Sequence, residues 1–281
     1  MAEAMPVKPL GLDRLSMNLG TFGPGRAAEE VLGACARAGV RTVTPWRYNY
    51  EAEGAAAFAR LMRQHGLVAS SLCRIADLGN AATPIAWQKS LDDGRATLDE
   101  AAELGAQSVT LIGGGLAEGN RSLQDSRRRV RDGVQELALH ARKVNVALAV
   151  EPLHPMVAAD RGCISTLALA LELAEQAGQD VGIMFDCYNS WWDPALPHTL
   201  PAAAPRLLGF QVADWLVPTT DLVLDRGLMG DGVIDFRSLR ALAESAGYAG
   251  PIEVEILSSR FWKQDVPAAV DRVVERFLSC C

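Results

Sequence analysis

The sequence predicts an α/β fold, a single (β/α)8 TIM barrel spanning residues 1–281. Short apolar, β-branched segments alternate with longer segments of helical period, which is typical of repeated βα units around a parallel sheet. Eight such units follow one another, and no Pro-, Gly- or Ser-rich linker separates them. Gly-x-Gly-x-x-Gly spacing is missing after the first predicted strand, which favours a closed barrel over an open doubly wound sheet.

The predicted elements alternate along the whole chain. Strands are predicted at residues 15–19, 41–44, 68–72, 108–112, 147–151, 182–186, 208–212 and 252–256. Helices are predicted at residues 27–38, 51–65, 85–104, 126–144, 165–176, 196–204, 236–246 and 266–278. The one long irregular stretch, residues 213–235, follows the seventh strand. We expect loose order in the first residues and at Cys280 and Cys281, because chain ends are commonly frayed.

Composition excludes several classes of protein. With 49% hydrophobic and 22% charged residues, the chain has the composition of a globular protein, and no apolar run approaches the roughly 18 residues of a membrane helix. The N-terminal segment lacks the features of a signal peptide, so we expect a cytoplasmic protein with no membrane partner. A net charge of −7 without a clustered basic surface argues against a nucleic-acid partner. The six cysteines show no paired spacing and are expected to be reduced.

Carboxylates end three of the last four predicted strands, namely Glu151, Asp186 and Glu255. In a (β/α)8 barrel the active site lies at the carboxyl ends of the strands. Three carboxylates there would repel one another unless a cation lay between them. Gln211 on the seventh strand adds a neutral oxygen ligand. These four residues predict a site for one divalent metal ion, best suited to Mn²⁺ or Mg²⁺.

The alternative is that each carboxylate caps a loop or pairs with a nearby arginine, for which the sequence offers Arg74, Arg161 and Arg226.

Two glutamates on either side of a metal also provide an acid and a base. Glu151 and Glu255 are the predicted catalytic residues, one removing the proton beside a carbonyl and the other returning it. A metal would stabilise the enediolate that forms between these two steps.

Other residues after the strands are candidates for substrate binding. Tryptophans can stack on the apolar face of a sugar, although they can equally close the barrel mouth. His154 could be a base, a hydrogen-bond donor or a solvated loop residue. Arg226 lies in residues 213–235, which could form a lid or simply lead into the next helix. The substrate-binding candidates are Trp46, Arg74, His154, Asn189, Trp192, Trp215 and Arg226. Three glycines after the fourth strand, Gly113, Gly114 and Gly115, could cradle an anion or form a tight turn.

The pattern at Glu151, Asp186, Gln211 and Glu255 resembles the xylose isomerase-like TIM-barrel superfamily of sugar isomerases and epimerases, over essentially the whole chain. The resemblance implies metal roles for Glu151, Asp186 and Glu255, proton transfer by the two glutamates, and a dimer or tetramer. The chain departs from D-tagatose 3-epimerase-like members at Gln211, where those usually have histidine but hydroxypyruvate isomerases have glutamine. It departs again at Asn189, where many relatives have a substrate-binding histidine.

The resulting hypothesis is a metal-dependent isomerase or epimerase of a small sugar, inosose or hydroxy-keto acid, acting through an enediolate. One alternative is a metal-dependent lyase or dehydratase acting on an inosose or 3-oxo-glycoside, with His154 as an added acid or base. A sugar-binding barrel without catalysis is a further alternative. A phosphodiesterase, which would need several histidines and a basic groove, is disfavoured, because the chain has only four histidines and a net charge of −7.

Overall fold

The computed structural model describes residues 8–281. Its strands form one parallel sheet in the order β3-β2-β1-β9-β8-β7-β6-β5-β4. Only Ser70 separates β3 from β4. Because β3 pairs with β2 and β4 pairs with β5, the two are halves of one strand that joins the ends of the sheet. The molecule is therefore the near-closed parallel α/β barrel that the sequence predicts. The strands are β1 Leu15–Asn18, β2 Thr42–Thr44, β3 Val68–Ala69, β4 Ser71–Ile75, β5 Ser108–Ile112, β6 Ala147–Glu151, β7 Val181–Asp186, β8 Leu207–Val212 and β9 Ile252–Val254.

Each predicted helix is present, with ends set by local chemistry. For example, the Thr83 side chain accepts a hydrogen bond from the Ala86 amide at the start of α3, and Gly105 ends that helix in the left-handed conformation. The predicted helix at 51–65 begins later than expected, because Gly54 has a φ of 81°. The helices are α1 Ala28–Arg37, α2 Ala55–Gln64, α3 Pro84–Leu104, α4 Leu123–Val144, α5 Leu167–Ala177, α6 Cys187–Ser190, α7 Leu196–Ala203, α8 Phe236–Ser245 and α9 Val266–Cys280.

The barrel interior is polar near the site. Strands such as β5 and β7 are buried along their full length, because helices cover their outer face and the closed sheet covers their inner face. Hydroxyl groups meet across neighbouring strands inside the barrel, with Ser16 Oγ 3.4 Å from Thr44 Oγ1 and Ser71 Oγ 3.4 Å from Thr110 Oγ1. These hydroxyls form a polar floor beneath the carboxyl ends of the strands.

Asp214 organises residues 213–235. Its buried carboxylate accepts hydrogen bonds of 2.8–3.0 Å from the backbone amides of Trp215, Gly230, Gly232 and Ile234. Antiparallel bridges join Asp214 to Gly227 and Asp225 to Ser258. The segment leads into α8, whose N-terminus is capped by the Asp235 side chain. This agrees with the interpretation of the segment as a loop that leads into the next helix. It is thus held at several points and carries Arg226 to the barrel mouth.

The chain end is packed, which differs from the loose order expected for Cys280 and Cys281. Helix α9 runs through Cys280, and Cys281 is buried, with its carbonyl oxygen accepting a 2.8 Å hydrogen bond from Arg240 Nη1. The expectation for the first residues falls on residues 1–7, which lie outside the described residues. Among residues 8–281, no helix is both long and apolar enough to cross a bilayer.

We predict that Asp214→Asn lowers the free energy of unfolding by about 2–4 kcal/mol, because an amide nitrogen would face buried N–H donors and leave them unpaired. Urea denaturation would measure the change. Asp271→Asn, at an exposed position of α9, is the matched control and should leave the stability unchanged within about 0.5 kcal/mol. Equal stability of the two variants would contradict the role assigned to Asp214.

Candidate active site

Buried carboxylates meet at the carboxyl ends of neighbouring strands. Glu151 ends β6 and Asp186 ends β7, as predicted. Strand β9 stops at Val254, so Glu255 lies one residue beyond it rather than inside the predicted strand 252–256. All three side chains are nearly or fully buried. The barrel therefore brings together the three acidic residues that the sequence singled out.

Arg226 is the cation in contact with this cluster. Its Nη1 donates to Glu255 Oε2 at 2.8 Å and to Asp186 Oδ2 at 3.2 Å. The guanidinium lies 4.5 Å from the centre of the Tyr188 ring, and its exposed fraction is 7%. Arg226 thus bridges two of the predicted metal ligands.

Asn189 joins the remaining glutamate to the cluster. Its Nδ2 donates to Glu151 Oε1 at 3.0 Å and to Asp186 Oδ2 at 2.7 Å, while its Oδ1 accepts from the His154 amide at 3.2 Å. Glu151 Oε2 accepts no hydrogen bond from the described residues. One oxygen of Glu151 is therefore held and the other is free to react.

A second acidic layer lies directly below. Glu253 accepts hydrogen bonds from Asn18 Nδ2 at 2.6 Å, Gln211 Nε2 at 2.8 Å and Thr44 Oγ1 at 2.6 Å. Asn18 also donates to Glu255 Oε1 at 2.9 Å, which links the two layers. Sequence reasoning missed both Glu253 and Asn18. The period of two along a strand could have found Glu253, because it places Glu253 on the same face as Glu255.

Burial dominates the acid–base chemistry of the cluster. It raises the pKa of Glu255 to about 7, with Asp186 and Glu253 acting in the same direction and Arg226 opposing them. Burial also raises the pKa of Glu151 well above its usual value, and Glu255 and Asp186 raise it further. The pKa values of Asp186 and Glu253 are raised by burial as well, against the lowering effect of their hydrogen bonds.

An open cleft lies above the carboxylates. Seven of the predicted functional residues line it, and they are Trp46, Arg74, Glu151, His154, Asn189, Arg226 and Glu255. Arg161 lines it too, although the sequence offered no signal for it as a binding residue. Asp186 and Gln211 are fully buried below the cleft.

Trp192 and Trp215, two of the three predicted tryptophans, contact His154 rather than the cleft itself. The His154 ring stacks on Trp215 at 4.9 Å and meets Trp192 edge-on at 5.7 Å. Neither tryptophan is among the residues that line the cleft. In this structure both tryptophans therefore pack against His154 and position its ring. Burial lowers the pKa of His154.

The three glycines after β5 form a packed turn. A Cβ on Gly115 would run into the backbone of Ala159, and Gly114 forms an isolated bridge with Gly162. Glycine is needed here because two loops approach closely, which agrees with the tight-turn interpretation.

The residues of the cluster fit a divalent cation. Four carboxylates (Glu151, Asp186, Glu253 and Glu255) are buried around one contacting guanidinium, which leaves an excess of negative charge. Gln211 Oε1 is buried without a hydrogen-bond partner among the described residues, as expected of an oxygen kept for a ligand. A second donor group, formed by Cys73, Glu253 and Glu255, has ligand atoms within 4.8 Å of one another. The structure thus contains a candidate buried metal site at these three residues, and Glu255 is also one of the four metal ligands that the sequence predicts.

The chain is similar to known proteins along most of its length. The family model described as "Xylose isomerase-like TIM barrel" matches residues 32–278. The chain belongs to this family. It is 26% identical to L-ribulose-5-phosphate 3-epimerase UlaE of Escherichia coli K12 over 225 residues, which cover 75% of this chain and 72% of the relative.

Two solved structures illustrate the likeness in fold. Protein SMc04130 of Sinorhizobium meliloti 1021 is 40% identical, with a TM-score of 0.93 over 96% of this chain and 99% of that one, and its name states no activity. The IolI protein, solved with a bound zinc atom, is 15% identical, with a TM-score of 0.82 over 95% of this chain and 97% of that one. At this identity the second comparison supports the fold alone.

We predict that the metal-free protein loses stability as the pH rises from 5 to 8. Because the folded pKa of Glu255 is about 7 against an ordinary value of 4.5, the native state keeps a proton that the unfolded state has released. Glu255 alone should lower the free energy of unfolding by about 2–3 kcal/mol across this window. Urea titrations in a chelator would measure it.

The matched variants are Glu255→Gln, which should make the decline shallower while Glu151, Asp186 and Glu253 still contribute, and Glu275→Gln at an exposed position of α9, which should leave it unchanged. Stability that is constant or rises over this range in the unmodified protein would contradict the raised pKa.

Proposed function

We propose that this protein is a divalent-metal-dependent isomerase or epimerase of a small ketose-like substrate, acting through an enediolate. The observation that carries the proposal is the pair Glu151 and Glu255, which line one cleft and have raised pKa values. A pKa near neutrality lets a carboxyl group both accept and return a proton at working pH. The distant relatives named as sugar epimerases support the same reaction class.

The free oxygen of Glu151 suits it to remove a proton next to the substrate carbonyl. Glu255 is held by Asn18 through Oε1 and by Arg226 through Oε2, which orients it to exchange a proton with the substrate from its own side of the cleft. For an epimerase, proton removal by one glutamate and return by the other would invert the carbon. Arg226 and Asn189 keep both carboxylates in place while their charge changes.

Glu151, Asp186, Gln211 and Glu255 would hold the metal ion. When bound, the ion supplies Lewis-acid stabilisation of negative charge on the substrate oxygens. Among these residues, Gln211 contributes the buried amide oxygen that lacks a partner, and its amide nitrogen is anchored on Glu253.

We expect the Mn²⁺-loaded protein in D₂O to exchange the hydrogen beside the carbonyl of its substrate, detected by NMR with a panel of ketoses, inososes and 3-oxo-glycosides. Glu151→Gln and Glu255→Gln should each slow exchange by about 10²- to 10⁴-fold, since each loses a proton carrier. Glu275→Gln should exchange normally. Metal bound without exchange on any compound, or normal exchange in both site variants, would rule out the proposal.

Metal binding discriminates between the two donor sets. We expect Asp186→Asn and Gln211→Ala to weaken Mn²⁺ binding by roughly 10- to 100-fold in calorimetry. Cys73→Ala should change it by less than about threefold, because a thiol is a poor ligand for this ion. The opposite order of effects would place the ion on Cys73 and Glu253 instead.

A lyase is the second candidate, and His154 favours it. His154 Nδ1 accepts a hydrogen bond from the Met156 amide, and burial lowers the pKa of the ring. A neutral imidazole with its other nitrogen protonated can donate to a leaving group. A product lighter by water or by an aglycone in the same experiment would identify this reaction.

A further inference from the structure

Two arginines of the cleft, Arg74 and Arg161, are not bonded to the carboxylate cluster, although Arg74 is close enough for its charge to lower the pKa values of Glu151 and Glu255. Both residues line the cleft, and both are half-buried. Within residues 8–281, neither forms an ion pair within 4.0 Å or a side-chain hydrogen bond, whereas Arg226 is bonded to two carboxylates. Partly buried cations without a counter-ion are unfavourable, so an anion from outside the chain is the expected partner.

The backbone of each arginine is fixed at the rim. Arg74 follows Cys73, which forms an isolated parallel bridge with Trp46, and its guanidinium lies 5.4 Å from the centre of the Trp46 ring. A planar cation stacked on an aromatic face is held in orientation while its N–H groups stay available.

Arg161 is fixed by a second bridge. Its neighbour Gly162 bridges Gly114, and the close approach of Gly115 to Ala159 locks the same loop from the other side. Glycine at these positions therefore serves to bring the Arg161 loop against the barrel mouth, rather than to bind an anion directly.

The two arginines lie close enough to influence each other. Burial lowers the pKa of Arg161, the positive charges of Arg74 and Arg226 lower it further, and the negative charges of Glu151 and Glu255 oppose them. Of these two neighbours, Arg226 is already neutralised by Asp186 and Glu255. Two positive charges without contacting carboxylates therefore remain at the opening of a cleft whose base is acidic.

We propose that Arg74 and Arg161 form a subsite for a phosphate dianion, so that the substrate is a phosphorylated ketose-like compound. This inference rests on the proposed function for the chemistry at the other end of the substrate. Two guanidinium groups match the two charges of a phosphate ester, and each can form a paired set of N–H···O bonds with its oxygens. Apolar side chains beside the arginines, those of Leu153, Val157, Leu222, Val223 and Leu257, would enclose the carbon chain.

Inorganic phosphate is the first probe, because its binding does not depend on turnover. At pH 8 and constant ionic strength, we expect calorimetry on the metal-free protein to give a dissociation constant below about 1 mM. Arg74→Gln and Arg161→Gln should each raise it by about 10- to 100-fold, and the double variant should show no binding. Arg128→Gln removes an exposed arginine of α4 and should bind like the unmodified protein.

Absence of phosphate binding in the unmodified protein, or unchanged binding in both single variants, would overturn the subsite. Acetate that competes as strongly as phosphate would also overturn it, in favour of a carboxylate on the substrate.

The substrate arm uses deuterium exchange on a ketose with and without a phosphate group. Arg161→Gln should raise KM for the phosphorylated compound about tenfold or more and leave kcat within about threefold.

The two proposals can fail separately. Phosphate binding that depends on Arg74 and Arg161, without exchange on any compound, would retain the subsite and reject the isomerase. Exchange that is equally fast on unphosphorylated ketoses, and unaffected by either arginine variant, would retain the isomerase and reject the subsite.

Discussion

The burial of four carboxylates at one end of a barrel is the constraint on which the rest of this structure depends. Removing a carboxylate from water is costly, and placing several together adds mutual repulsion. The fold meets that cost in part through Arg226, through the amides of Asn18, Asn189 and Gln211, and through raised pKa values. These interactions leave part of the negative charge of the carboxylates uncompensated, and a site that binds a metal ion needs such charge.

The fold of residues 213–235 is explained by the same constraint. The cluster needs a cation at Asp186 and Glu255, and no strand of the barrel supplies it. Arg226 belongs instead to a segment that is folded around Asp214. The Asp214 carboxylate accepts hydrogen bonds from four backbone amides of this segment. A change at Asp214 is therefore expected to displace Arg226 from the carboxylates as well as to lower stability, because the two residues are joined through the backbone of this segment.

The cleft has two electrostatic ends. Its base is acidic and partly neutralised, while its rim carries Arg74, which lies on β4, and Arg161, whose loop is held by an isolated bridge to Gly114. A substrate with an anionic group at one end and a carbonyl at the other would be oriented by this difference before any specific contact formed. The aromatic residues near His154 shape the neighbouring wall and fix the ring of that histidine.

The sequence by itself determined the barrel and its active end, because strand and helix periodicities are local and every strand of a parallel barrel ends at the same face. For that reason Glu151, Asp186 and Glu255 could be placed together without a structure, and the strands at 108–112 and 147–151 were predicted to the residue. Strand alternation places Glu253 on the same face as Glu255, but no local pattern shows its contact with Asn18, which depends on strands joined through barrel closure.

The sequence offered several arginines as partners for the carboxylates, and only the tertiary structure decided which of them contacts the cluster. Arg226 and Arg161 lie in irregular segments, whose direction no periodic pattern describes, so their place at the cleft depends on the bridges and hydrogen bonds that hold those loops. The split of the third strand at Ser70 and the packing of Cys281 under Arg240 are likewise products of long-range contacts. Periodicity reports which face of an element is buried, whereas the position of a loop is set by partners distant in the chain.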